Sequence, residues 1–274
     1  MIVNHDTNTV VWVADGHGKS VLEQFYRTLS DEQLASIEVV TGDGARWITD
    51  CVNEFTPNCE RCVDPFHVVE WAMDALDQVR KDRWRAAYAK ASELAKEAPK
   101  KRGRVRSDDR AAQKALAARK EASEIKKSTY ALGKAPENLT DNQRIRLEMI
   151  QARDPQLYRA YRLKESLRTL LKSSDVDQAE ADLKHWLWWA SHSRIPAFHD
   201  LYEKIKRHRE HILNTIRLGL SNARIEATNN KIKLIIRKAY GFRNIQNMMD
   251  MVYLVCSDIR IPLPNRKPML EEPA

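Results

Sequence analysis

Cysteine is scarce in this sequence, with four in 274 residues. That is too few to staple a chain of this length. It excludes a disulfide scaffold and makes a reducing cytosol the natural compartment. Only 8 glycines and 10 prolines occur, which argues against long disordered linkers. No run of 18 apolar residues exists, so no membrane-spanning helix is expected. The opening MIVNHDTNTVVWVADG lacks the basic-then-apolar layout of a secretory signal. No H-E-x-x-H, G-x-S-x-G or P-loop pattern occurs, so the chemistries those motifs carry have no foothold here.

What the chain has in excess is positive charge. The net charge is +8 and the isoelectric point near 9.3, which favours an anionic partner, nucleic acid ahead of a membrane surface. The length suits one large domain or two small ones with a sizeable core.

Residues 2–14 read as a hairpin turning at His5–Asn8, and Val21–Leu29 as a helix. Ile37–Thr41 reads as a buried strand that ends at Gly42-Asp43-Gly44, followed by a helix over Ala45–Phe55. A second short strand at 61–63 ends at Asp64-Pro65. The chain thus runs strand, Asp, helix twice. Ligands of open α/β sheets sit at the carboxyl ends of strands, so Asp43 and Asp64 are site candidates; each is equally suited to capping the helix that follows.

From Phe66 the strand signals stop. A long helix is expected to end by Pro99, then a basic loop PKKRGRVRS, then a helix over 108–127. Residues 76–135 hold 18 Lys/Arg against 8 Asp/Glu, consistent with a solvated hairpin or a phosphate-contacting arm. Four more helices are expected: Thr140–Ala152, Pro155–Lys172, Val176–His192 and Pro196–Leu218, forming an antiparallel bundle. The third carries Trp186, Trp188 and Trp189, which suit a core, an interface or base stacking. A last helix spans Met248–Ile259, and the tail 261–274 reads as loose.

Ser221–Asn244, SNARIEATNNKIKLIIRKAYGFRN, is the most distinctive stretch. As a helix it would bury Ile225, Ile232, Ile236 and Ala239, with Ser221 or Asn222 capping its start and Gly241 suiting its stop. Glu226, Asn229, Asn230 and Lys233 would share another face. Six cations, Arg224, Lys231, Lys233, Arg237, Lys238 and Arg243, surround the single acid Glu226. That acid reads either as a surface ion pair or as a metal-ligand carboxylate beside a polyanion groove. Carboxylates from separate elements converging on two cations ~3.5–4 Å apart are what two-metal phosphoryl chemistry needs, and Mg²⁺ suits such ligands. A zinc site on Cys59, Cys62, Cys51 and His67 is the weaker metal reading, since no second Cys pair follows.

VTGDGARWI, CVDPFHVVEWA and the Ser221–Asn244 stretch together resemble, in order and spacing, the DDE transposases of bacterial insertion sequences, in particular the ISL3 group. The resemblance covers nearly the whole chain. It implies an α/β fold with a ribonuclease-H-like core over 1–65 and 221–260, a helical insertion over 66–220, and a mostly helical protein overall. It implies that Asp43 and Glu226 are the family's second and third catalytic, metal-binding acids, serving two Mg²⁺ or Mn²⁺ ions. Asp64, His67 and Asn230 become structural or supporting positions. Arg46, Arg224, Lys231, Lys233, Arg237, Lys238 and Arg243 become DNA-binding residues. DNA, both transposon ends and target, is the implied partner, with a homo-oligomer possible, no membrane and a bacterial nucleoid setting. The family's first Asp belongs to a G-V-D-E-like strand that would precede Met1, and Asp6 and Asp15 do not match it. The expectation is an N-terminally truncated transposase, inactive by itself and without the family's end-recognition region. The rival readings are a non-catalytic DNA binder working through 76–135 and a helical module associating through Trp186–Trp189.

Overall fold

The structure, a computed structural model, describes residues 1–97, 109–220 and 223–259; of residues 223–226 it describes the helical backbone alone. The basic loop, the Ser221/Asn222 cap and the tail 261–274 therefore lie outside the described residues.

Asn4 makes the first turn. Its side-chain oxygen accepts from the backbone N–H groups of Asp6 (2.8 Å) and Thr7 (3.3 Å), and Asn8 takes a left-handed φ of 58°, which asparagine tolerates well. β1 (Ile2–Val3) thereby pairs antiparallel with β2 (Val10–Trp12), Ile2 opposite Trp12 and Val3 opposite Val10. Next come α1 (Lys19–Arg27), α2 (Asp31–Ala35), β3 (Val39–Gly42), α3 (Arg46–Phe55) and β4 (Glu60–Val63), with β3 and β4 forming a second two-stranded sheet. α2 is a helix that apolar periodicity misses. A capping box starts it, the Ser30 hydroxyl accepting from Gln33 N–H and the Gln33 side chain from Ser30 N–H.

The chain divides into two compact units, one made of Met1–Val40, Ala45–Cys59 and Ser221–Ala274, the other of Thr41–Gly44 and Glu60–Leu220. In the first unit α1 packs on α3, with Tyr26 and Phe55 stacked at 5.2 Å. α12 (Ala223–Lys238) and α13 (Ile245–Cys256) close a small core of Val10, Ile235, Val252 and Cys256. Val13 N–H donates to the Tyr253 hydroxyl at 2.8 Å, tying the hairpin to α13. The buried line of α12 differs from the expected one. Thr228 and Ile235 are buried, Ile232 and Ile236 are half-buried, and Ala239 is exposed. The reason is that Ala239 lies past the end of the helix, while Thr228, Ile232 and Ile235 stand at i, i+4 and i+7.

The second unit is a helical bundle: α4 (Pro65–Glu97), α5 (Arg110–Lys126), α6 (Thr129–Gly133), α7 (Asp141–Arg153), α8 (Pro155–Leu170), α9 (Val176–Ser191), α10 (Pro196–Arg207) and α11 (Arg209–Leu218). α4 is about 50 Å long at the usual helical rise. α5 packs along it through Ala115, Ala118, Ala122 and Ile125, small residues at helical spacing that let two helices approach. Asp154 is buried and does two jobs. One oxygen accepts the Leu157 N–H (3.1 Å) to start α8, and the other accepts Arg83 Nε of α4 (2.8 Å). Trp186 is fully buried, its indole N–H donating to the Leu163 carbonyl at 2.9 Å, while Trp188 on the same helix is 59% exposed.

The single helix expected over Pro196–Leu218 is two. His208 separates α10 from α11 with φ −99° and ψ 14°, and its N–H is shared by the Lys204 and Ile205 carbonyls. This tightened turn needs neither glycine nor proline.

Candidate functional site

Asp43 follows directly on β3 and is exposed, in the bundle unit. Its surroundings come from three elements. Arg61 of β4, itself buried, donates from its guanidinium to the backbone carbonyls of Asp43 and Cys62, holding the turn after β3. Trp71 of α4 lies against Gly44 so closely that a Cβ there would overlap the indole ring, which explains the glycine. Lys204 of α10 sets its ammonium 3.8 Å from the Trp71 ring centroid, a cation–π contact. Burial lowers the pKa of Lys204, while the carboxylates of Asp43, Asp74 and Glu70 oppose that. His208 completes the wall, its ring 5.7 Å from that of Trp71. Burial first, then His211, Arg61, Arg207 and Lys204, push its pKa down to about 4, so it is neutral at pH 7.

β4 is itself anchored from α11. Asn214 donates to the Arg61 carbonyl (3.3 Å), the Thr215 hydroxyl to that of Val63 (2.8 Å), and Arg217 pairs with Glu60 (2.7 Å). The acidic turn is thus braced by side chains from α4, α10 and α11. Sequence reading places Asp43 directly after a strand, where the structure has it. It misses Arg61, Trp71, Lys204 and His208, because nothing in their spacing brings them together.

Asp64 caps α4. Its Oδ1 accepts the Phe66 N–H (2.9 Å), its carbonyl accepts the Val68 N–H (3.3 Å), and its own N–H donates to Gly42 (3.0 Å). The other carboxylate oxygen is 3.9 Å from His67 Nε2, while His67 Nδ1 lies 2.9 Å from Glu70.

Glu226 stands on α12, in the other unit, at i, i+4, i+7 and i+11 with Asn230, Lys233 and Arg237. The side chains of Glu226 and Arg224 lie outside the described residues. Asn230, Lys231, Lys233, Arg237 and Lys238 are all exposed, as is Arg243 beyond the helix end. None of these five cations forms an ion pair among the described residues, whereas in the bundle Arg80 and Lys81 pair with Asp77, and Arg85 with Asp82. Arg46, at the first turn of α3, is exposed too.

The cysteines do not gather. Cys62 is buried in β4 and Cys51 in α3, burial raising both thiol pKa values, and Cys51 Sγ lies 3.8 Å from the Lys19 carbonyl. Among the described residues no three His, Cys, Asp or Glu side chains form a group able to hold a metal ion, and no helix is long and apolar enough to cross a membrane.

A family model described as a transposase, of the DDE and ISL3 type, matches residues 1–252. The transposase for insertion sequence element IS1557 of Mycobacterium tuberculosis, in strains CDC 1551 / Oshkosh and ATCC 25618 / H37Rv, is 42% identical over 266 residues, covering 97% of this chain and 58% of the relative. The transposase for IS1001 of Bordetella parapertussis is 26% identical over 246 residues, covering 89% and 53%. The chain spans little more than half the length of these relatives. No solved structure matches it. With the family model matched along nearly all of its sequence, the chain belongs to the ISL3 group of insertion-sequence transposases.

Proposed function

We propose that this chain supplies two acids and the phosphate-binding helix of a DDE transposase catalytic domain, a ribonuclease-H-like core interrupted by the helical bundle, which cleaves transposon ends and joins them to target DNA. The observation that carries this reading is the row of exposed cations on the helix of Glu226, none ion-paired among the described residues. Such a row suits a phosphate backbone, which gives affinity without reading sequence.

Asp43 fits a hard divalent cation such as Mg²⁺ or Mn²⁺: it is a carboxylate, exposed at a strand end, on a backbone fixed by Arg61. Asp43 and Glu226 would hold the ions, which when bound supply activation of the attacking water or 3′-hydroxyl and neutralise the leaving oxygen. The protein's own part is positional. Arg61, Trp71 and Gly44 keep Asp43 in place, and Lys204 adds a cation in the field of that acid. Lys231, Lys233, Arg237, Lys238, Arg243, Arg224 and Arg46 hold phosphates, with Asn230 beside Glu226 on the helix.

Exchanging Lys233 and Arg237 together for Ala should weaken binding to duplex DNA and lower the slope of log affinity against log salt by roughly 2, one for each lost phosphate contact. An unchanged slope would remove α12 from the DNA-binding surface. Two acids of the family's three are matched in these 274 residues, so the chain by itself is expected to bind DNA with little Mg²⁺-dependent joining of transposon-end DNA. Robust joining that Glu226→Gln abolishes would mean that another residue of the chain supplies the third ligand.

A further inference from the structure

Tyr240 stands just past α12, with a left-handed φ of 53° and a fully exposed side chain. The Tyr240 N–H reaches the Arg237 carbonyl (3.1 Å) and the Gly241 N–H the Ile236 carbonyl (2.9 Å), closing the helix as glycine-ended helices close. The left-handed residue of such a motif is usually glycine, because a Cβ is crowded there. Here the glycine comes one position later, Gly241 at φ 91°, and the strained position carries an aromatic ring. The ring contributes no packing in return. Its neighbour Phe242 does, being half-buried against the small core of α12 and α13. Around Tyr240 in sequence stand Arg237, Lys238 and Arg243, all exposed. Backbone strain kept at a residue that adds nothing to the core marks a functional position, and an aromatic set among cations has the composition of a single-strand binding platform.

We propose that Tyr240 stacks on an unpaired nucleobase of DNA whose flanking phosphates are held by Arg237, Lys238 and Arg243. The proposal rests on the reading of α12 as a DNA-facing helix and adds the state of the DNA it prefers, an unpaired base beside duplex. Charge selects this occupant over a second copy of the chain. A two-fold contact between identical surfaces would set these cations against their own copies.

The test uses the whole chain with EDTA present, a blunt duplex, and the same duplex with a single-stranded tail carrying 2-aminopurine. Tyr240→Gly relieves the backbone, so it should raise thermal stability while lowering tail-duplex affinity about tenfold, with blunt-duplex affinity changed less than about twofold. Tyr240→Phe should behave as the parent, and 2-aminopurine quenching should vanish only in Tyr240→Gly. Equal losses on both DNAs, or undiminished quenching in Tyr240→Gly, would overturn the stacking role while leaving the cationic helix standing. Failure of the unaltered chain to bind either DNA would overturn both readings. A fall in sedimenting mass of Tyr240→Gly with tail binding intact would make the surface a contact between copies.

Discussion

The two compact units bury themselves by different means. The bundle has one continuous core to which α4, α5 and α7 through α11 all contribute, and Trp186, Phe198, Leu157 and Ile205 have no exposure at all. Among the described residues, the unit that carries Glu226 has one cluster of four buried residues around α12 and α13, with Tyr26, Cys51 and Val52 buried apart from it on α1 and α3, and α13 keeps Met251, Leu254 and Val255 over a third exposed. The longest family motif therefore lies in the less deeply packed unit. Burial and exposed charge are separated along the chain: the bundle holds the larger share of the buried apolar residues described, and apolar burial drives folding, while α12 presents a row of exposed cations.

The sharpest way to break this contrast is Trp186→Ala. It empties a fully buried site and leaves the Leu163 carbonyl without its donor, so a loss of about 3–5 kcal/mol in denaturant unfolding is expected. A loss below about 1 kcal/mol would show that the bundle core is not the stabilising mass it is taken to be.

Next in size is acid sensitivity, placed in the bundle beside Asp43. His208 is held neutral in the fold with a pKa of about 4, and burial also lowers that of His211. The unfolded chain protonates at the ordinary value near 6.5. It therefore binds more protons than the folded chain between those values, and stability falls as pH drops from about 6.5 toward 4, by an amount on the order of 2 kcal/mol, with the full value present above 6.5. Urea midpoints measured across that range should show the drop, and His208→Gln should flatten it. A flat profile in the parent chain would mean that His208 meets solvent.

Much of this arrangement is legible in the sequence. Helix periodicity finds the bundle, and the strand-then-Asp pattern gives the position of Asp43 after β3. The basic helix stands out because six cations surround one acid. Three things are not legible. The break at His208 interrupts no apolar pattern, since Ile205 and Ile212 stay in phase across it. The choice of Ile235 over Ile236 as the buried residue of α12 depends on where α13 packs, and adjacent positions differ by only one step around the helix. The brace of Arg61, Trp71 and Lys204 around the acidic turn joins side chains from three elements, and local spacing carries no trace of such a meeting. Ser30 and Gln33 are the opposite case, a capping box in plain view that marks a helix too short for periodicity to detect.

The finest test of the contrast deletes the same methylene from each unit. Ile205 is fully buried in the bundle and Ile235 is 9% exposed in the smaller core. Ile→Val costs about 0.5–1.5 kcal/mol, more where the surroundings cannot relax into the space. Ile205 is enclosed by a many-helix core, so Ile205→Val should fall near the top of that range. Among the described residues Ile235 shares its cluster with Val10, Val252 and Cys256 as buried partners, and two helices with a hairpin can close on a small void, so Ile235→Val should fall near the bottom. The difference, a few tenths to about 1 kcal/mol, lies within reach of paired denaturation curves. Equal costs would mean that the small core is packed as rigidly as the bundle, and α12 would then be a fixed platform for its cations and not a lightly held one.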